Sequence, residues 1–303
     1  MYKLVAIDLD GTMLNSYGEV TEYTKSEINN IIQKGTEVVI ASGRSIDSIT
    51  SIAKSISDIK YIIAGNGAVL YNIQDNKNIY EKYIPKSKAL EIIHICEQNN
   101  IFYNVYTNKS IIADKLRYNV LYYYKENLNK EDSKKTSITI VENIEKYVKE
   151  MHDEKVMKIF VADENQSVFK SIMRKFNNNK DLQILDVSHM SRKIISHGTD
   201  YVSIEYFYTE ISLKNVDKWL ALEYLIKKLN IKKEEVIAIG DNTNDKKMIK
   251  EAGLGIIMKG SNPDVTSIAD YVTEDNNHDG VAKALHKIFH WGQSRLKKIF
   301  HWG

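Results

Sequence analysis

The chain has 303 residues, 43% hydrophobic and 27% charged, with 42 Lys and Arg against 40 Asp and Glu and a net charge of +2. This is ordinary globular composition at a length that allows two domains, each with its own core, and neither residues 83–212 nor the remainder carries the basic excess of a nucleic-acid binder. One cysteine, Cys96, excludes an internal disulfide and thiolate metal clusters; Lys3, Asp8 and Asp10 interrupt any signal-peptide core, and no uncharged run nears the ~20 residues of a membrane span, so the expected protein is cytoplasmic, binds neither membrane nor nucleic acid, and is a monomer or small homo-oligomer.

In chain order, residues 3–9 are a predicted strand. Apolar Ile28, Ile31 and Ile32 predict a helix over 21–34, and Gly35 follows as its C-terminal cap. A second strand is predicted over 36–41, then SGR at Ser42, Gly43 and Arg44. A helix over 47–56 leads to a third strand over 61–64, ended by GNGA at 65–68. The texture changes over 83–212, which is rich in Tyr and Lys. There, helical segments (87–98, 165–176) alternate with β-like ones (102–106, 156–161, 201–208). The first rhythm then returns: a helix over 217–229, a buried strand over 236–239, a helix over 245–252, strands over 254–258 and 271–273, and a closing helix over 280–289. Strands separated by helices of this length predict an α/β fold on a parallel sheet. Residues 83–212 read as an α+β insertion between its two halves. KIFHWG occurs at 287–292 and again at 298–303 and reads as a tail extending the last helix, with a metal or partner site built from His290 and His301 as the alternative.

Residues 6–16 read AIDLDGTMLNS. Asp8 and Asp10 stand one residue apart at the end of an apolar run, where like charges repel by about 1 kcal/mol in water and by more in less polar surroundings. Strand ends of a parallel sheet converge at one edge, where ligands bind. That edge gathers 8–12, 42–44, 65–68 and the GDNTND of 240–245, so Asp8, Asp10, Asp241 and Asp245 are expected to meet. Clustered carboxylates tolerate one another around a divalent cation, and an all-oxygen set with few protein ligands suits Mg²⁺. An ionised carboxylate can attack phosphorus while its neighbour gives a proton to the leaving group and later activates water. Ser42 can donate to a phosphate oxygen, and Lys218 can balance charge.

DLDGT, SGR, a lysine and GDNTND, in this order, resemble the four motifs of the haloacid dehalogenase (HAD) superfamily. The spacing resembles its Cof-type, subfamily IIB phosphatases. The resemblance extends through NGA at 66–68, KNVDKWLAL at 214–222 and ADYVTEDNNHDGVAKAL at 269–285, and covers the chain to about residue 289. It implies a Rossmann-like HAD core (1–82 and 213–289) with a parallel sheet, an inserted α+β (type-2) cap (83–212) that closes over the core and selects the substrate, and a tail (290–303). By position, Asp8 resembles the family nucleophile and a metal ligand. Asp10 resembles the acid/base, and binds metal through its backbone carbonyl. Lys218 matches the third-motif lysine, with Lys214 as its rival. Asp241 matches the direct fourth-motif metal ligand, supported by Asn244 and Asp245. Phosphate binding falls to Ser42, Gly43, Lys218 and Thr12. The implied activity is a Mg²⁺-dependent phosphatase acting on small phosphorylated metabolites, sugar phosphates first.

Some positions depart from the family pattern. Asn215 and Trp219 replace glycines around the lysine, IMKGS at 257–261 replaces AMGNA with Gly260 at the asparagine position, and His278 stands where an acid is common. Tyr103, Tyr106, Arg117, Arg192 and Tyr206 are candidates to line the cap's substrate face. The Tyr122–Tyr124 run reads as cap packing, Cys96 as core and Arg44 as a salt-bridging residue. The eight histidines read as scattered, without ligand spacing. A phosphotransferase or phosphomutase is the alternative enzyme, and a low-turnover phosphate-binding regulator, favoured only by IMKGS, the alternative class.

Overall fold

The computed structural model describes residues 2–56, 58–128, 135–177, 179–185, 190–197 and 200–291. The second KIFHWG copy and His301 lie outside them, as does the side chain of Arg192. Elements follow in chain order. Strand β1 (Leu4–Ile7), helix α1 (Glu22–Gln33), β2 (Glu37–Ala41), α2 (Ile46–Ile56) and β3 (Tyr61–Ala64) lead into β4 (Val69–Asn72) and β5 (Lys77–Glu81). Then come α3 (Lys86–Gln98), β6 (Phe102–Thr107), β7 (Ile111–Ala113), α4 (Tyr118–Leu128), β8 (Ile138–Ile140) and α5 (Ile144–Glu150). They are followed by β9 (Val156–Asp163), α6 (Gln166–Asn177), β10 (Leu182–Ile184), β11 (Met190–His197) and β12 (Asp200–Leu213). The chain ends with α7 (Lys218–Lys228), β13 (Val236–Gly240), α8 (Lys246–Glu251), β14 (Leu254–Ile257), α9 (Pro263–Thr266), β15 (Tyr271–Val272) and α10 (Gly280–Trp291).

The chain divides into two compact units. One holds the described residues up to Arg44, Ile49–Glu81 and the described residues from Asp217 onward; the other holds Ser45–Ser48 and the described residues of Lys82–Val216. The first unit is built on an eight-stranded sheet in the order β15-β14-β13-β1-β2-β3-β4-β5. Its strands are parallel from β15 to β3, and β4 and β5 add an antiparallel edge. The parallel sheet expected from sequence is present and is extended by an antiparallel hairpin. Leu4, Ala6, Val39, Ala41, Val236 and Ala238 pack with Trp219, Leu222 and Leu225 of α7. Their neighbours Val5, Ile7, Val38 and Ile40 are equally buried on the opposite face, as strand alternation requires. Burial on both faces explains why these strands read as unbroken apolar runs.

The second unit carries a sheet in the order β10-β12-β9-β6-β7-β8, with β11 paired to β12. Its pairs are antiparallel except β7 with β8. Cys96 is fully buried in its core, among Ile92, Ile93 and Val161. Tyr106 and Tyr206 lie in a second cluster with Phe102, Tyr118 and Phe160, and the buried Tyr103 donates its hydroxyl to Glu97 at 2.8 Å. Of these three buried tyrosines, Tyr103 also lines a cavity of the unit, together with Phe102 and Arg117. Arg117 pairs with Glu164 at 2.8 Å. In the tyrosine run, Tyr122 and Tyr123 meet edge to face at 5.6 Å.

Two departures from the family pattern have local explanations. Asn215 holds a φ of 59°, the left-handed conformation that glycine otherwise supplies and asparagine tolerates. Trp219 is buried in the α7 core and lies under the Lys233 ammonium at 5.2 Å. Gly67, in the turn after β3, has φ +105°, and a Cβ there would lie 2.1 Å from the Asp217 carbonyl oxygen at the start of α7. Gly67→Ala should therefore lower the unfolding free energy by about 2–4 kcal/mol, measured by urea denaturation, because it adds backbone strain to an overfilled contact.

Candidate active site

The site is built where β1, β2 and β13 end and α7 begins. The Asp8 N–H still donates to the Ile239 carbonyl at 2.9 Å, so sheet pairing carries the carboxylate to the strand's last ordered position. Gly11 then turns the chain at φ +83°, and a Cβ there would lie 2.5 Å from Asp241 Oδ2. Only glycine lets the DLDGT turn press against that carboxylate. Thr12 is buried and donates its hydroxyl to Asp241 Oδ1 at 2.9 Å. That hydrogen bond orients the Asp241 carboxylate.

Lys218 opens α7, whose N-cap Asp217 accepts the Leu220 N–H at 2.8 Å. The Lys218 side chain is fully buried. Its ammonium donates to Asp8 Oδ1 and, at 2.6 Å, to Asp245 Oδ1. Asp245 is fully buried too, and its other oxygen accepts the Asp241 N–H at 3.1 Å and the Asn242 N–H at 3.2 Å. Both Asp245 oxygens are thus engaged, and the residue holds the GDNTND turn and Lys218 in place. Asn244 donates to Asn66 Oδ1 at 3.1 Å, joining that turn to the one after β3. Lys214, the rival lysine, uses its backbone N–H on the Asp181 carbonyl at 2.8 Å.

Asp10 is turned elsewhere. Its carboxylate is half exposed and gripped by the Arg44 guanidinium, Nε donating to Oδ2 at 2.8 Å and Nη2 to Oδ1. Ser42, buried at the end of β2, accepts the Arg44 N–H on its hydroxyl oxygen at 3.2 Å. Its hydroxyl proton has no acceptor among the described residues, which leaves it free to donate. Gly43 lies between them in the same loop.

The electrostatics follow from burial. Asp8 is pushed well above the usual carboxylate range, first by burial and then by the Asp245 charge, with Lys218 opposing. Asp241 is pushed up to about 6, again by burial and then by Asp245, with the Thr12 hydrogen bond opposing. Burial alone would pull Lys218 down, but the Asp245 and Asp8 carboxylates outweigh it and hold the ammonium above the usual lysine range. One oxygen from each of Asp8, Asp241 and Asp245 lies within 4.8 Å of the others. Three carboxylates against one ammonium leave the deficit that one divalent cation fills. The donors are all oxygens, so the residues present fit a hard cation such as Mg²⁺.

A family model described as haloacid dehalogenase-like hydrolase matches residues 5–285. The chain belongs to the haloacid dehalogenase-like hydrolase family. This hydrolase is 29% identical over 291 residues to Phosphatase YwpJ of Bacillus subtilis (strain 168), covering 94% of this chain and 99% of that one. It is 28% identical over 293 residues to the 5-amino-6-(5-phospho-D-ribitylamino)uracil phosphatase YcsE of the same organism, covering 95% of each. Among solved structures it is similar to a haloacid dehalogenase-like hydrolase from B. subtilis, with a TM-score of 0.76 at 26% identity, over 96% of this chain and 100% of that one. Among the described residues of this hydrolase no helix is long and apolar enough to cross a membrane.

Sequence reasoning named Arg44 as a salt-bridging residue without its partner, and missed that Asn66 holds Asn244. It also overlooked a ligand spacing: His286 and His290 are four apart on one helix, which corrects the reading of the histidines as scattered.

Asp241 gives a pH test of the hydrolase's stability. Its pKa rises on folding from 3.8 to about 6, so the folded state holds the proton more tightly than the unfolded one. That stabilisation is full below about pH 4 and is lost as pH rises through about 6. In EDTA, the wild type should therefore lose up to about 3 kcal/mol of unfolding free energy relative to Asp241→Asn between about pH 4 and pH 7, the difference levelling off above. Urea unfolding of both proteins across this range checks it.

Proposed function

We propose that this hydrolase is a Mg²⁺-dependent phosphatase of small phosphorylated metabolites, sugar phosphates first among them, and that it works through a phospho-aspartyl intermediate at Asp8. The observation that carries the reading is the charge set of buried Asp8 and Asp245 with part-buried Asp241, which outnumber the single buried Lys218 ammonium. The named activities of the two Bacillus relatives, one acting on a phosphorylated ribityl compound, support the substrate class.

Asp8 and Asp241 would hold Mg²⁺, with the Asp10 backbone carbonyl. The ion would neutralise phosphate charge and keep Asp8 ionised. The chain's own residues supply the rest. Lys218 fixes one Asp8 oxygen and leaves the other to attack phosphorus. As that O–P bond forms, the bond from phosphorus to the substrate oxygen breaks, and Asp10 gives the departing oxygen its proton. The ionised Asp10 then takes a proton from water. The water oxygen bonds to phosphorus, the Asp8–phosphorus bond breaks, and inorganic phosphate leaves. Ser42 and the Gly43 backbone N–H donate to phosphate oxygens, and Asp245 keeps Lys218 in register. The Arg44 fork on Asp10 belongs to the resting arrangement and opens when Asp10 turns to the substrate.

Phosphate release from a panel of sugar phosphates, nucleotides and pyridoxal phosphate tests this. Release should need Mg²⁺, stop in EDTA, and fall by more than about 10³-fold in Asp8→Asn. Phosphoryl transfer to a second sugar without free phosphate would instead make the protein a phosphotransferase or mutase. Folded, Mg²⁺-binding protein that releases nothing would make it a phosphate-ligand regulator.

A further inference from the structure

A second cluster of metal-ligating side chains lies away from the carboxylate site, where α1 packs against α10. Glu27 on α1 is 5% exposed. It faces His286 and His290, which stand one turn apart on α10 and so share a face of that helix. His286 Nδ1 is 3.2 Å from Glu27 Oε1, and His290 Nε2 is 3.6 Å from Glu27 Oε2. The two imidazoles stack at 4.3 Å with 21° between their planes. One ligand atom from each of the three residues lies within 4.8 Å of the others.

We propose that Glu27, His286 and His290 form a second metal site, built for a borderline divalent ion of the Zn²⁺ class. A His–Glu ion pair alone does not account for the geometry. Glu27 Oε2 is buried and has no hydrogen-bond partner among the described residues, which is costly for a carboxylate oxygen. His290 faces it from beyond hydrogen-bond reach. A tetrahedral ion with bonds of about 2.0–2.1 Å sets neighbouring ligand atoms about 3.3 Å apart; the two nitrogens stand 3.2 and 3.6 Å from the two oxygens of the one carboxylate, and the part-exposed rings, stacked without metal, would turn apart to aim both at a shared ion. Two imidazoles and one carboxylate are a borderline donor set, unlike the all-oxygen site at Asp8, so the two sites sort different metals. A His pair at i and i+4 on one helix face is a recurrent way to hold Zn²⁺.

The surroundings fit a built site. Thr21, the N-cap of α1, donates to Asp279 Oδ1 at 2.6 Å, and Asp279 immediately precedes α10. The two helices therefore start side by side, and residues at similar depth along them meet. A cleft of about 540 Å³ reaches His286 between Tyr23, Lys283 and Lys287. It offers an entry path and room for a water as the fourth ligand. Bound metal would tie α1 to α10 on the face of the sheet domain that they share.

The test uses the full chain without a polyhistidine tag, in excess Mg²⁺ so that the carboxylate site is filled. Equilibrium dialysis against Zn²⁺, read by metal analysis, should leave one Zn²⁺ per chain. Co²⁺ in its place should give the strong visible absorption of a tetrahedral site, which octahedral oxygen coordination does not. His290→Ala and the His286→Ala/His290→Ala pair should weaken Zn²⁺ binding at least about 100-fold and abolish the Co²⁺ bands. His290 is part-exposed and makes no hydrogen bond to Glu27, so the metal-free melting temperature of His290→Ala should stay near that of the wild type, whereas the double variant, which strips the buried Glu27 of both imidazoles, should melt lower while still folding; Glu27→Gln should lose the metal with them. Wild type that retains no Zn²⁺, or a double variant that retains as much with the same spectrum, overturns the proposal.

Discussion

The Lys218 ammonium, buried between Asp8 and Asp245, is the interaction on which the rest of the site depends. Asp8 and Lys218 are 210 residues apart in sequence, and Lys218 and Asp245 are 27 apart. One cation thus fixes three chain segments: the end of β1, the start of α7 and the turn after β13. Removing a buried ion from its partners typically costs about 3–5 kcal/mol, because the partner charges stay buried. That constraint explains why Asp245 spends both oxygens on Lys218 and on two backbone N–H groups. It also holds one Asp8 oxygen on the lysine.

The parallel sheet makes this arrangement possible. β13, β1, β2 and β3 are neighbours in register, so the residues following each strand arrive at one edge. Close backbone approach does the remaining positioning. Gly11 presses the first turn against Asp241, and Gly67 presses the third against the first residues of α7. A side chain at either place would push a carboxylate or the lysine out of line.

Much of this was legible in the sequence for a physical reason. Strands buried on both faces are unbroken apolar runs, so β1, β2, β3 and β13 could be read within a residue or two, and strand ends carrying DLDGT, SGR and GDNTND named Asp8, Ser42, Asp241 and Asp245. The β4–β5 hairpin was not legible, because half-buried β5 has no clear alternation. Short β7, β8 and β10 and the single-turn segments carry too few residues for periodicity to speak. Hydrogen-bond partners were legible least of all. Nothing in DLDGT says that Thr12 gives its proton to Asp241, or that Arg44 rather than a phosphate faces Asp10. The spacing of His286 and His290 was present, but Glu27 joins them only through the packing of α1 on α10, some 259 residues away in sequence.

In the proposed function one atom reacts, an oxygen of Asp8. The most direct measurement traps what that oxygen forms. In Asp10→Asn, p-nitrophenyl phosphate can still phosphorylate the enzyme, since p-nitrophenolate leaves without a proton, while attack by water loses its base. Quenching this variant with Mg²⁺ present and reducing it with borohydride converts any aspartyl phosphate to homoserine, which peptide mass spectrometry locates. The account predicts homoserine at position 8 alone. Homoserine at another carboxylate, or none while a burst of p-nitrophenolate is released, would contradict it.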